Sequence, residues 1–200
     1  MMTLRAVRRR SFIAASGAAV AVMALARPRM GLAEIDLNTT NQVPLTIAAA
    51  KGDVAKVHDL IISGTSPNLT DVSGRPAIGW AALENHVDVI EELLKAPRIL
   101  PNATDKDGNT ALILAAQRGH AEAVDVLIRA KVHLDVDNKD GMTALMMAAQ
   151  NGFARCVQLL VKAGADATIQ DRTGRTALDW AQDNNRQDVI NVLRRSASKS

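Results

Sequence analysis

One short pattern returns five times along this chain, and it constrains the fold more than anything else in the sequence. It reads Val43-Pro44-Leu45-Thr46-Ile47-Ala48-Ala49 at its first appearance and Pro76-Ala77-Ile78-Gly79-Trp80-Ala81-Ala82 at its second. It returns as Thr110-Ala111-Leu112-Ile113-Leu114-Ala115-Ala116, then as Thr143-Ala144-Leu145-Met146-Met147-Ala148-Ala149. The fifth copy is Thr176-Ala177-Leu178-Asp179-Trp180-Ala181-Gln182. The starts at 43, 76, 110, 143 and 176 are separated by 33, 34, 33 and 33 residues. A fixed period of this length belongs to stacked supersecondary units, in which one unit cannot bury its own apolar faces and the neighbours complete the core.

Each unit reads as two short helices. The first carries the Ala-Ala pair, whose small side chains let the next helix approach closely. The second is amphipathic: Val54, Val57, Leu60 and Ile61 in the first unit, then Val87, Ile90, Leu93 and Leu94, Ala121, Val124, Leu127 and Ile128, and Ala154, Val157, Leu160 and Val161. Helices this short are marginal alone, so stacking must hold them. Gly52, Gly119 and Gly152, with Asn85 and Asn185 in the other two units, stand where the first helix ends; both residue types accept the left-handed conformation of a helix stop. Turns opening with Asp or Asn and closing with Gly precede four units, at 71–74, 105–108, 138–141 and 171–174. The fifth unit puts Gln187 and Arg194 into apolar slots and Gln182 in place of the second Ala, the polar outer face that a terminal unit needs. From Arg194 onward the chain reads as a frayed polar end. The segment Pro97-Arg98-Ile99-Leu100-Pro101 holds the one extra residue and should bulge from the stack.

These residues resemble the ankyrin-repeat pattern Thr-Pro-Leu-His-x-Ala-Ala-x-x-Gly, over roughly residues 38–196. The resemblance implies an all-α solenoid of five helix-turn-helix repeats with short β-turn tips, spanning residues 43–196. The family's His, which bonds backbone, is replaced in every repeat, by Thr46, Gly79, Ile113, Met146 and Asp179, so that inter-repeat bond is not expected. The resemblance also implies that another protein is held by the turn tips and the exposed ends of the first helices. Those places are Val72, Ser73, Arg75, Leu83 and Glu84; Lys106, Asp107, Asn109, Gln117 and Arg118; Lys139, Asp140, Met142, Gln150 and Asn151; and Arg172, Thr173, Arg175, Asp183 and Asn184. Arginine is enriched at interface hot spots, which favours Arg75, Arg118, Arg172 and Arg175.

Residues 1–33 stand apart. They carry six arginines and no Lys, Asp or Glu, leaving 18 Lys+Arg against 21 Asp+Glu in the remainder. The basic balance of the whole chain thus belongs to this leader, and the repeats have no overall basic excess for nucleic acid. A charged start, an apolar run from Phe12 to Ala26 and the small-x-small sites Ala24-Leu25-Ala26 and Gly31-Leu32-Ala33 make the layout of a secretory signal. Arg9-Arg10-Ser11-Phe12-Ile13 resembles the core of the twin-arginine motif, although Arg8 and Ala14 depart from its flanks. The expectation is export to the periplasm of a bacterium, with cleavage between Ala33 and Glu34. Cleavage after Ala26 would instead start the mature chain at Arg27-Pro28. A run this weakly apolar is too poor to stay as an anchor. Residues 34–42 are then a lead-in and 197–200 a polar tail.

No catalytic constellation is evident: no phosphate loop after a strand, no Ser-His-Asp or Cys-His arrangement. His58, His86, His120 and His133 lack ligand spacing. His86 and His120 share one repeat slot, which favours a structural role. Cys156 aligns with Val89, Ala123 and Val189 and reads as a small buried residue, with a redox-active or partner-linking thiol as the alternative, while Trp80 and Trp180 align with Ile47, Leu114 and Met147 and read as packing between helices, with a binding hot spot as the alternative. Met142, Met146 and Met147 cluster in one repeat, where a redox role is a minor alternative. The expectation is therefore a monomeric, non-enzymatic binding protein without cofactor or metal, an adaptor or accessory factor for another exported protein. Exported bacterial ankyrin proteins are sometimes linked to peroxide defence, so the resemblance implies an exported redox enzyme as the partner class. The alternative is an inhibitor or immunity protein against an envelope toxin or hydrolase.

Overall fold

The computed structural model describes residues 43–197. Among the described residues ten helices follow one another in five pairs: α1 (Pro44–Lys51) and α2 (Val54–Ile62), α3 (Ala77–Leu83) and α4 (Val87–Lys95), α5 (Ala111–Arg118) and α6 (Ala121–Arg129), α7 (Ala144–Asn151) and α8 (Ala154–Lys162), α9 (Ala177–Asp183) and α10 (Gln187–Ala197). The odd-numbered helices pack in one row, each against the next, and the even-numbered helices form a second row beside it. The Ala-Ala pairs sit at the contacts of the first row: Ala81, Ala82, Ala115, Ala116, Ala148 and Ala149 are all completely buried. The second row adds Val57, Ile90, Leu93, Val124, Leu127, Val157 and Leu160, also at 0% exposure. Among the described residues the turn tips contain a single isolated bridge, between Thr70 and Pro76.

Local chemistry sets the helix ends. Thr110, Thr143 and Thr176 accept hydrogen bonds from the backbone N–H three residues on, at 3.2, 3.4 and 3.3 Å. Asp179 Oδ2 reciprocates by accepting from the Thr176 N–H, completing a capping box. Gly52, Gly119 and Gly152 close their helices with φ between 74 and 85°. Asn85 and Asn185 do the same at φ 57 and 54°.

Repeats are also joined by polar contacts outside the core. The His86 Nε2–H donates to the Ala50 carbonyl at 3.1 Å, and that of His120 to Leu83 at 3.0 Å. Arg186 Nε does the same to Gln150 at 3.2 Å. An inter-repeat bond from His thus exists, made from the slot after the helix stop rather than from the replaced family position. Thr46 and Asp179, which hold that family position, bond only within their own helix start. The proline joint is exposed at Pro97, Arg98 and Leu100, and it is fastened to the preceding repeat as well. Asn68 Nδ2 donates to the Arg98 carbonyl and Asn68 Oδ1 accepts from the Leu100 N–H, both at 2.8 Å. One expectation is corrected at the far end. Arg194, Arg195, Ser196 and Ala197 are not frayed but form the last turn of α10, because Leu193 anchors it and the Ser196 hydroxyl donates to the Leu193 carbonyl.

Candidate protein-binding groove

The turn tips lie alongside the first-helix row, and each is built around one polar side chain, half-buried in the case of Asp71 and buried in those of Asp105, Asn138 and Asp171. Asp71 Oδ1 accepts from the Ser73 and Arg75 N–H groups at 2.9 Å and from the Ser73 hydroxyl. Asp105, Asn138 and Asp171 hold their own turns in the same way. Successive tips are stitched through backbone. The Lys106 N–H donates to Ser73, Lys139 to Asp107 and Arg172 to Asp140, at 3.1, 2.9 and 3.3 Å. The four turns therefore form one continuous rim, held at a fixed register over the first helices.

Two carboxylates do more. Asp71 Oδ2 accepts from the Trp80 indole N–H at 2.9 Å, and Asp171 Oδ2 from that of Trp180 at 2.9 Å. For both, desolvation pushes the pKa up most strongly, yet the donors together outweigh it and hold it below the ordinary carboxylate value. Arg75 stacks over the Trp80 ring at 4.7 Å from its centre, and Arg175 over Trp180 at 4.8 Å. Arg75 also pairs with Asp105 at 3.1 Å, and Arg175 with Asp183 at 3.2 Å.

The expected binding residues divide by exposure. Val72, Glu84, Lys106, Asp107, Gln117, Arg118, Lys139, Asp140, Arg172, Thr173, Arg175, Asp183 and Asn184 are exposed along this face. Ser73, Arg75, Asn109, Gln150 and Asn151 are half-buried. Arg75 is committed to Asp105 and Trp80, and Asn109 to Asp105 and Asn138. Leu83 and Met142 are corrections: at 9% and 5% exposure they belong to the core. Leu83 closes the end of α3, and Met142 is an apolar chain at a turn position where the other repeats hold Arg or Asn. Trp80 and Trp180 are the opposite case. They are only half-buried and line two depressions of the groove, of about 510 and 330 Å³. The signal that would have found them is in the sequence: the spacing Asp71, Arg75, Trp80 recurs as Asp171, Arg175, Trp180. The leader residues Arg9, Arg10, Phe12, Ala33 and Glu34 lie outside the described residues.

The reactive side chains are placed differently. Cys156 is completely buried, and burial pushes its thiol up to about 11, with the Glu122 charge adding to it. Met146 and Met147, like Met142, are buried. His58 is exposed and pairs with Glu92 at 2.7 Å. Among the described residues no three His, Cys, Asp or Glu side chains are grouped so as to hold a metal ion.

The decisive comparison is with family models. A model described as ankyrin repeats (3 copies) matches residues 45–137 and again 130–200. The chain belongs to the ankyrin-repeat family. No curated protein matches it. Ankyrin repeats are protein–protein interaction modules, and the groove between rim and first helices of this ankyrin-repeat chain is the face where the exposed Lys106, Lys139 and Arg172 and the half-buried Trp80 and Trp180 lie.

Proposed function

We propose that this ankyrin-repeat chain is an exported adaptor that acts in the periplasm and holds another exported protein in the groove between its turn tips and first helices. The observation that carries this reading is the rim itself. Four stitched turns display Lys106, Lys139 and Arg172 at successive repeats, with Arg118 exposed at the end of α5 beside them. The twin-arginine-like leader and its small-x-small sites support the compartment. The partner class implied by the resemblance is an exported redox enzyme.

The test has two arms in the producing cell. Replacing Arg9 and Arg10 together by Lys should leave uncleaved precursor in the cytoplasm; normal periplasmic levels would remove the twin-arginine route. Replacing Lys106, Arg118 and Lys139 together by Ala should weaken recovery of the partner from periplasmic extract while shifting the melting temperature little, since exposed substitutions typically change stability by about 0.5 kcal/mol or less each. Arg75 is left out of that set because its ion pair and ring contact contribute to the fold.

A further inference from the structure

The two tryptophans mark two copies of one socket. Adding 100 to each residue number maps the first onto the second: Ile47 becomes Met147, Asp71 becomes Asp171, Arg75 becomes Arg175 and Trp80 becomes Trp180. The first socket lies between α1 and the turn before α3, the second between α7 and the turn before α9. Both have an indole fixed by a turn carboxylate and covered by a stacked guanidinium. The intervening repeats lack these parts, with Leu114 and Met147 in the Trp slot and Asn109 and Met142 in the Arg slot.

The charges decide what fits. Asp71 and Asp171 spend both carboxylate oxygens on their own turns and indoles. The Asp105 side chain is 2% exposed and paired with Arg75. Left facing solvent along the groove are Lys51 at the first socket, Lys106, Arg118 and Lys139 between the sockets, and Arg172 at the second. Three exposed carboxylates, Glu84, Asp107 and Asp140, stand against these five cations, while Arg175 and Asp183, also exposed, pair with each other. The sockets are three repeats apart. At about 8–10 Å between packed helices this is about 24–30 Å, and an extended chain covers it in about eight residues at about 3.3 Å each.

We infer that the groove takes an extended, acidic segment of another protein whose two large apolar side chains, about eight residues apart, enter the Trp80 and Trp180 sockets together. This rests on the reading of the groove as the binding face, and it adds the chemistry and the spacing of what binds. One continuous segment engaging both sockets gains from effective concentration, so spacing is part of the recognition.

Trp80 and Trp180 are the only tryptophans in the sequence and Tyr is absent, so each socket carries its own fluorescent reporter. The probe is a synthetic twelve-residue peptide, Phe at its second and tenth positions, Asp, Glu and Ser elsewhere. Added to the full chain it should shift tryptophan emission along a single binding curve; in the Trp80→Phe and Trp180→Phe variants the remaining tryptophan should still shift, with weaker affinity because each variant damages one socket. A peptide of the same composition with its Phe residues four apart, or with Lys replacing the acids, should bind at least about tenfold more weakly. Lys51→Glu combined with Arg172→Glu should weaken the acidic peptide and favour the Lys version. Equal binding of all three peptides, or emission that none of them moves, overturns the two-socket proposal. A photo-cross-linker at Arg118, midway between the sockets, separates this from the wider reading. Partner cross-linked there while the peptides fail leaves the groove as binding face and rejects the sockets. Partner cross-linked only from the α6 side, at Glu122, rejects the groove itself.

Discussion

Cys156 illustrates how a single side chain reports its surroundings. It sits in α8 at 0% exposure, with its thiol pushed up to about 11 by burial and by the Glu122 charge. The fold therefore holds the proton more tightly than the unfolded chain does, whose thiol loses it near the ordinary value of 9.0. Between these values the unfolded state sheds a proton that the native state keeps, so stability falls as pH rises. The expected loss across that window is about 2 kcal/mol, and Cys156→Ala should remove it at a cost of about 1 kcal/mol at neutral pH. Melting wild type and variant at pH 8 and pH 10.5 checks this; parallel curves with equal pH slopes would show that the thiol is not held by burial. The slot was legible in the sequence because Val89, Ala123 and Val189 share it. Met142 was not legible, because its slot holds Arg or Asn in the other turns and repeat alignment speaks of position rather than of where a flexible apolar chain folds. Exposure of the tryptophans was signalled only by the repeated Asp71, Arg75, Trp80 and Asp171, Arg175, Trp180 spacing, because the slot itself, shared with Ile47, Leu114 and Met147, reads as packing, although Ile47 and Met147 also line the depressions beside the rings.

At the scale of the element, the helix stops do two things at once. Gly119 has φ 76°, and a Cβ built there would lie 2.5 Å from Phe153 Cδ1 in the next repeat. Gly164 has φ 96° with nothing within 4 Å. The first glycine serves both conformation and close approach, the second conformation alone. Gly164→Ala should cost about 1 kcal/mol, the ordinary penalty for an L-residue in the left-handed region. Gly119→Ala should cost distinctly more, about 2–3 kcal/mol, because the ring must also move. Adding Phe153→Ala to Gly119→Ala should recover part of the difference in a double-mutant cycle, whereas simple additivity of the two changes would mean that the ring does not press on the glycine. Helix pairing, turns and stops were readable from the period because each depends on residue types at fixed offsets. The contact between Gly119 and Phe153 was not, since it depends on how two units are seated on each other. The turn carboxylates were visible only as turn openers. Their bonds to Trp80 and Trp180 need a side chain nine residues on to fold back over the tip.

For the whole molecule, nearest-neighbour architecture predicts how damage spreads. Each first helix touches only the first helices before and after it, together with its own partner helix and weaker neighbours. Stability is then a sum of unit and interface terms, and cooperativity lasts only while every interface is favourable. Ala82 is the place to test this. It lies in α3 at 0% exposure, in the row between α1 and α5. Ala82→Glu puts an ionised carboxylate into that contact with no partner, a penalty of several kcal/mol that no local rearrangement offsets. Repeats one and two should then lose their coupling to repeats three to five, while the four remaining first-row and second-row contacts beyond α5 stay intact. The two tryptophans report the two halves, Trp80 in repeat two and Trp180 in repeat five. In the wild-type background, Trp80→Phe and Trp180→Phe chains should melt in urea with nearly coincident transitions. In the Ala82→Glu background the Trp80 signal should be lost at much lower urea than the Trp180 signal, with helical circular dichroism falling in two steps of which the first is the smaller. Coincident loss of both signals at low urea would show that the five repeats fold only as one block, and the nearest-neighbour account of this chain would have to give way to a single cooperative core.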